Sequence, residues 1–475
     1  MTMSQLIASS KLKMVVGIGA TGLSVARHLS QLGERFVMLD SRQQPPCLTQ
    51  LKSEMPDVPV ALGEFDIDSF DGADEIILSP GLSRQIPAVQ AAINLDISVI
   101  SDIELFARSA SAPIIAITGS NGKSTVTTLV GEMCAAAGKK AGVGGNLGTP
   151  ALELLDEQSE LYVLELSSFQ LESVYGLNAE VATVLNVSPD HMDRYRSLLD
   201  YHQAKHRIFG GARQVVVNRA DKLSVPLVSE KVKQWSFGIN RPDFGGFGLV
   251  EQDGEPWLAY QFDRLMPESD LGIKGRHNTS NALAALAIGS AVGLPMDGML
   301  SVLREFCGLS HRCQTVTELN GVTYINDSKA TNVGATLAAI QGLSGGQGLS
   351  GERGLSGGKS LSGNDDKTDS KIILIAGGQA KGQDFSPLAQ ALAGSVKRLV
   401  LLGEDAKIIG DAVEGVKSLV DTVYAADLTE AVKLSHEIAQ TGDIVLLSPA
   451  CASFDMFSGF AERGEQFVNE VRALQ

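Results

Sequence analysis

The chain has 475 residues, enough for about three domains, and its 44% apolar and 20% charged residues exclude a disordered or fibrous protein. Lysine and arginine number 39 against 55 aspartates and glutamates, a net charge of −16. That balance argues against sequence-independent nucleic-acid binding and against docking on anionic membranes.

The first segment opens on a short apolar strand, Lys13–Gly17, followed by glycine punctuation and helical periodicity through Leu23, Ala26 and Leu29. A second strand, Arg35–Leu39, ends at Asp40, and a third, Glu75–Leu78, ends at Ser79-Pro80-Gly81. The second segment begins after Pro113 with the β-branched run Ile114–Thr118. A long helical pattern follows Gly122, and further strands are expected at Leu161–Leu164, Val181–Leu185 and Val215–Val217. Ala282–Met296, the longest uncharged stretch worth testing as a membrane span, has 15 residues, short of the ~20 needed to cross a bilayer, and reads as a buried helix. The third segment begins near Arg312, with strands at Val322–Ile325, Lys371–Ile375, Arg398–Leu402 and Ile444–Leu447. Strands alternating with helices predict an α/β protein of three domains with parallel sheets: an N-terminal Rossmann-like domain (1–101), a central phosphate-loop ATPase-like domain (102–308) and a C-terminal Rossmann-like domain (309–475). Residues 342–365 repeat a Gly/Ser-rich hexapeptide four times. Such a composition cannot bury enough surface to offset its ordering entropy, so 342–367 is expected to be a flexible surface loop. Met1–Lys13 lacks the apolar core of a signal peptide, and the five cysteines form no CxxC pair. Both point to a reducing cytoplasm without a disulfide framework or a structural zinc site.

Thr118-Gly119-Ser120-Asn121-Gly122-Lys123-Ser124-Thr125 carries the strongest chemical signal, because it leaves a strand and opens a helix. Its glycines let backbone N–H groups converge on phosphate oxygens, Lys123 neutralises the β and γ phosphates, and Ser124 can ligate Mg²⁺. A strict GxxxxGK[ST] loop would have glycine at Ile117; the plain alternative is a glycine-rich turn before a helix. Glu165, at the end of a neighbouring strand, can face that loop and hold Mg²⁺, or be a solvated strand-end residue. His191, in Asn186-Val187-Ser188-Pro189-Asp190-His191, is a candidate metal ligand, and Lys205, 14 residues later, is by default a solvated lysine. Gly17-Ile18-Gly19-Ala20-Thr21-Gly22 is a true GxGxxG, and Asp40 lies 18 residues past Gly22, the spacing of a dinucleotide fingerprint in which Asp40 would read a ribose 2′-hydroxyl. The third segment offers Arg312, Lys329 and Lys381 as cations for anionic ligands. On the residues alone an ATP-using enzyme, an NAD-dependent oxidoreductase and an NTPase switch all stay open.

In combination, GIGATGLSVA, LSPGL, DIELF, PIIAITGSNGKSTVTTLVGEM, GVGGNLG, LYVLELSSFQLE, NVSPDHMDRY, GRHNTSNALAALA, LSHR, NDSKATN, GGQAKGQDFSPL and LLSPACASFDMF, spread over residues 17–457, closely resemble the Mur ligase family. The resemblance implies ATP-dependent addition of D-glutamate to UDP-N-acetylmuramoyl-L-alanine through an acyl phosphate, in cytoplasmic peptidoglycan precursor synthesis, by a monomer that binds no nucleic acid. It places the uridine-diphosphate substrate on Ala20, Thr21, Asp40, Ser41 and Arg42, with Ser79 and Gly81 nearby and Asn146 on the muramoyl part. ATP falls to Gly119, Asn121, Gly122, Lys123, Ser124, Thr125, Asn278 and Asn281, completed by Arg312, Asp327 and Lys329. One Mg²⁺ is assigned to Ser124 and Glu165, a second to His191 and a carbamylated Lys205, making Lys123, His191 and Lys205 the catalytic set. Thr331, Lys381, Ser453, Phe454 and Phe460 would seat D-glutamate. The resemblance leaves a sister ligase, of folylpolyglutamate type or adding another amino acid, as a further alternative. It also implies that the C-terminal domain moves toward the central one when ATP binds.

Overall fold

The computed structural model describes residues 11–343, 372–416 and 420–474. Among these residues three sheets form, their central strands built from apolar runs buried on both faces. The first contains β1 (Lys13–Val16), β2 (Phe36–Asp40), β3 (Val60–Leu62), β4 (Glu75–Leu78) and β5 (Ser98–Ile100), all parallel, in the order β3-β2-β1-β4-β5. The order reverses beside β1, so a crevice opens at the carboxyl ends of β1 and β4. Helix Ala20–Gln31 starts within the GxGxxG motif, after Gly19, and buries Leu23, Ala26 and Leu29.

The second sheet contains β6 (Ile114–Thr118), β7 (Ala141–Gly145), β8 (Leu161–Glu165), β9 (Val181–Val184), β10 (Gln214–Asn218), β11 (Lys233–Phe237), β12 (Gly246–Gln252), β13 (Glu255–Tyr260) and β14 (Asp263–Pro267). Their order is β14-β13-β12-β11-β10-β9-β6-β8-β7. The strands from β7 to β12 run parallel, whereas β13 and β14 add as an antiparallel meander. The sheet is therefore mixed, in place of the parallel sheet expected. Again the order switches at the strand that matters, with β6 between β9 and β8, and the phosphate loop leaves its carboxyl end. The expected helix over Ala282–Met296 is in fact Arg276–Ala291, buried from Ala282 to Gly289, with a separate helix Met296–Glu305 after Pro295. No described helix is long and apolar enough to cross a membrane.

The third sheet contains β15 (Gln314–Leu319), β16 (Val322–Asn326), β17 (Ile372–Gly377), β18 (Val396–Leu402), β19 (Asp421–Tyr424) and β20 (Ile444–Leu447), in the order β15-β16-β20-β17-β18-β19. Only the edge strand β15 is antiparallel. Its two faces bury alternate residues: Ile372, Leu374 and Ala376 on one side, Ile373 and Ile375 on the other. Gly342 and Leu343, expected in the flexible loop, instead close helix Val333–Leu343; the rest of the hexapeptide array and Lys371 lie outside the described residues. Leu374 is fully buried. Leu374→Ala is expected to destabilise this sheet by about 3 kcal/mol, the cost of lost apolar transfer plus a cavity. A lower urea midpoint for the transition of residues 307 onward measures it.

By contacts the chain divides into two compact units. One comprises residues up to Val187 with Ser197–Gly272 and Asn278–Phe306, and so carries the first two sheets. The other comprises Ser188–Arg196, Ile273–His277 and the residues from Cys307 onward.

Candidate active site

In the first unit, β6 is wholly buried and ends in a loop whose backbone is pinned from the side. The Ser120 N–H donates to Asn186 O (2.9 Å), the Asn121 N–H to Asn186 Oδ1 (2.8 Å), and Asn186 Nδ2 returns a bond to Asn121 O (3.0 Å). Gly122 caps helix Lys123–Ala136 in the left-handed region at φ +82°, and a Cβ there would come within 2.4 Å of Asn281 Oδ1, so both conformation and space call for glycine. Asn281 Nδ2 in turn donates to Asn278 Oδ1 (3.3 Å). Ser124 and Thr125 are buried at the start of that helix. Lys123 Nζ donates to Gly119 O (2.8 Å) and Ser120 O (2.9 Å), curled over its own loop. The helix start and this ammonium make an anion site of the kind that cradles phosphate.

Lys205, on helix Leu198–His206, is 1% exposed, not the solvated lysine of the default reading. Its Nζ donates to Gly119 O (2.9 Å) and lies 4.5 Å from the centre of the Tyr201 ring. Tyr201 OH is 3.1 Å from Ser120 Oγ, so the helix is tied to the loop twice. Glu165 is likewise buried, at 2% exposure, at the last position of β8. Asn146 Nδ2 donates to its Oε1 (2.6 Å), while Oε2 is buried with no hydrogen-bond partner. A desolvated, unpartnered carboxylate oxygen is costly unless something cationic meets it. With the Ser124 hydroxyl at the same loop, this donor set of hard oxygens fits Mg²⁺. Among the described residues no group of three His, Cys, Asp or Glu side chains converges as a metal cluster.

All eight residues expected around the uridine-diphosphate substrate line one cavity of about 520 Å³ at the switch point of the first sheet: Ala20, Thr21, Asp40, Ser41, Arg42, Ser79, Gly81 and Asn146. Gln170 joins them, unforeseen as a site residue although its stretch was noted. Ser167 and Gln170 form a capping box, and Gln170 Nε2 donates to Asp102 Oδ2 (3.3 Å). Burial pushes the Asp102 carboxyl up to about 6. Asp40 does not behave as a dinucleotide reader. Its Oδ2 accepts from the Ile18 N–H and Arg42 Nη2 (2.7 Å each), its Oδ1 from the Arg42 N–H and Nε (2.9 Å each). Those four bonds use the acceptor capacity of a carboxylate. Burial alone would raise its pKa, but the Arg42 guanidinium and the two amides hold it below the ordinary value.

In the second unit, three loops leave the carboxyl ends of the adjacent strands β16, β20 and β17. The first carries Asp327, Lys329 and Thr331, the second Ser453 and Phe454, the third Lys381. Asp327 is buried, accepting from Ser448 Oγ (2.8 Å) and the Cys313 N–H (3.1 Å); burial outweighs these bonds and pushes its carboxyl up to about 6. Arg312, on the approach to β15, lowers it only in part. Lys329 Nζ sits 3.6 Å from the centre of the Phe460 ring, and Ser453 is buried whereas Phe454 is exposed. His191 also belongs to this unit, at φ +57°. Beside it lies Asp190, missed as a site residue: it is buried, accepts from the His191 N–H (2.9 Å) and Asn332 Nδ2 (3.0 Å), and has Lys381 Nζ at 3.9 Å. Arg463, missed entirely, is buried and donates to Ser328 Oγ and O and to the carbonyls of Cys451 and Ala452, binding two of the loops together. Burial lowers its guanidinium to about 10.

A phosphate loop at one switch point, a cavity at another and a third α/β sheet bearing cationic loops define a multi-substrate nucleotide-binding α/β protein. The family descriptions "Mur ligase MurD-like, N-terminal domain", "Mur ligase middle domain" and "Mur ligase, glutamate ligase domain" match residues 11–101, 117–289 and 359–451. The chain belongs to the Mur ligase family. It is 55% identical over 469 residues to the UDP-N-acetylmuramoylalanine--D-glutamate ligase of Pseudomonas aeruginosa, and 56% identical over 473 residues to the protein of the same name from Pseudomonas syringae pv. tomato; each match covers 99% of both chains. Its fold is shared with the crystal structure of UDP-N-acetylmuramate-alanine ligase from Thermotoga maritima, at a TM-score of 0.58 and 18% identity, over 98% of this chain and 100% of that one.

Proposed function

We propose that the chain is an ATP-dependent ligase that joins D-glutamate to UDP-N-acetylmuramoyl-L-alanine, acting in the cytoplasm as a monomer in peptidoglycan precursor synthesis. The observation that carries the reading is the junction of phosphate loop and cavity within one unit: Asn146 lines the cavity and bonds Glu165 at the end of the strand next to the loop. That junction is where a substrate carboxylate and a triphosphate must meet. Membership of the family, with relatives of that name at 55% and 56% identity, supports the same activity. The oxidoreductase alternative is disfavoured, because Asp40 spends its acceptors on Ile18 and Arg42.

A carboxylate is a poor electrophile, so amide formation needs activation. The L-alanine carboxylate of the UDP substrate attacks the γ-phosphorus of ATP, ADP leaves, and an acyl phosphate forms. The D-glutamate amine then attacks the acyl carbon, and phosphate departs from the tetrahedral intermediate. Gly119, Asn121, Gly122, Lys123, Ser124 and Thr125 hold the phosphates, with Lys123 following charge as it moves to the β–γ bridge. Asn278, Asn281, Arg312, Asp327 and Lys329 hold the rest of ATP, and Thr331, Lys381, Ser453, Phe454 and Phe460 seat D-glutamate. Two Mg²⁺ ions, on Ser124 with Glu165 and on His191 with a carbamylated Lys205, would supply electrostatic stabilisation of the transferring phosphoryl oxygens.

The test is ADP release with UDP-N-acetylmuramoyl-L-alanine and a panel of amino acids that includes both glutamate enantiomers. Continued ADP release beyond one equivalent per enzyme is expected only with D-glutamate present; turnover indifferent to the amino acid, or greatest with another one, overturns the assignment.

A further inference from the structure

We propose that Asn146 is a positioning residue that orients Glu165 for its metal ion and ties that orientation to occupancy of the cavity. The inference rests on the reading of Glu165 as an Mg²⁺ ligand. Two bonds attach Asn146 to the end of β8: its side-chain Nδ2 donates to Glu165 Oε1 at 2.6 Å, and its backbone N–H donates to Glu165 O at 2.8 Å. The backbone approach is close enough that the preceding residue must lack a side chain. Gly145 is at φ +99°, and a Cβ there would lie 2.5 Å from Glu165 O.

The consequence for the carboxylate is specific. With Oε1 held, the group cannot turn about its Cγ–Cδ bond, and the oxygen left without a partner is Oε2, buried. A neutral amide does this without cancelling the carboxylate charge, as a lysine or arginine in the same place would. The charge therefore stays available for a cation, which is what an outer partner of a metal ligand has to ensure.

Asn146 also faces the other way. It is part of the cavity wall with Thr21, Ser79 and Gln170, so a ligand filling the cavity lies against the same residue that holds Glu165. Cavity and metal position are thereby linked through one side chain, and linkage is reciprocal: if a cavity ligand alters the affinity for the cation, the cation alters the affinity for the ligand by the same factor.

The experiment is a titration of the full chain with Mn²⁺ alone, read as loss of the free-ion electron paramagnetic resonance signal, with and without UDP-N-acetylmuramoyl-L-alanine. Asn146→Ala is expected to weaken Mn²⁺ binding by about 10- to 100-fold, and to abolish the shift in Mn²⁺ affinity that the UDP substrate produces in the unmodified chain. Thr21→Ala, on the nucleotide side of the same cavity, should weaken the UDP substrate and leave Mn²⁺ affinity unchanged. An Asn146→Ala protein that binds Mn²⁺ as tightly as the unmodified chain overturns the inference. Glu165→Gln separates the two levels: unchanged Mn²⁺ binding in that variant overturns the metal-ligand reading itself.

Discussion

Lys123→Ala is expected to slow ADP formation by about a thousandfold or more while the affinity for UDP-N-acetylmuramoyl-L-alanine stays unchanged. A thousandfold is roughly 4 kcal/mol of transition-state stabilisation, a reasonable share for an ammonium that follows charge onto the β–γ bridge in a desolvated loop. The structure explains why the loss should be clean. Lys123 Nζ donates to carbonyls of its own loop, Gly119 O and Ser120 O, and Asn186 and Gly122 fix the shape of that loop independently of the lysine. None of the loop residues lines the cavity proposed for the UDP substrate. Steady-state ADP release and calorimetric binding of the UDP substrate make the two measurements. Turnover equal to the unmodified chain would falsify the assignment of the loop.

The strands that the sequence reveals are those whose burial is double-sided, because a run such as Ile114–Thr118 or Ile444–Leu447 has no other stable place than the middle of a parallel sheet. The glycine-rich β7 (Ala141–Gly145) and the three-residue β3 (Val60–Leu62) leave no such trace; neighbouring strands make them. Two hairpins were legible and overlooked. Asp253-Gly254 and Asn320-Gly321 both turn with positive φ at each residue, the type I′ geometry that Asp-Gly and Asn-Gly favour, and they join β12 to β13 and β15 to β16. Reading them would have predicted the antiparallel additions to both sheets. At the site, the loop and the GxGxxG turn announce themselves because local backbone requirements dictate their residues. The burial of Lys205 and Glu165, the Asp190 carboxylate beside Lys381, and the Arg463 clasp depend on chain segments far apart in sequence, where spacing carries no signal.

Lys205→Ala and Lys205→Arg are both expected to lose about a hundred- to a thousandfold in turnover, and the equality of the two losses is the informative part. A lysine that merely anchors the loop through Gly119 O should be replaced in part by arginine, which keeps the charge and the N–H donors. A lysine that works as its carbamate cannot be. Addition of CO₂ to the neutral amine forms an N–C bond and releases a proton; the product is an anion with two oxygen acceptors, suited to Mg²⁺, and it retains one N–H to donate to Gly119 O at the present 2.9 Å. Burial at 1% exposure, against the Tyr201 ring, shields that adduct from exchange with bulk water. High bicarbonate should restore neither variant. In ¹³C-bicarbonate the unmodified chain is expected to show a carbamate carbon resonance that Lys205→Arg lacks. Arginine supporting full turnover, or identical spectra from the two proteins, removes Lys205 from the metal site and leaves it a structural donor to the phosphate loop.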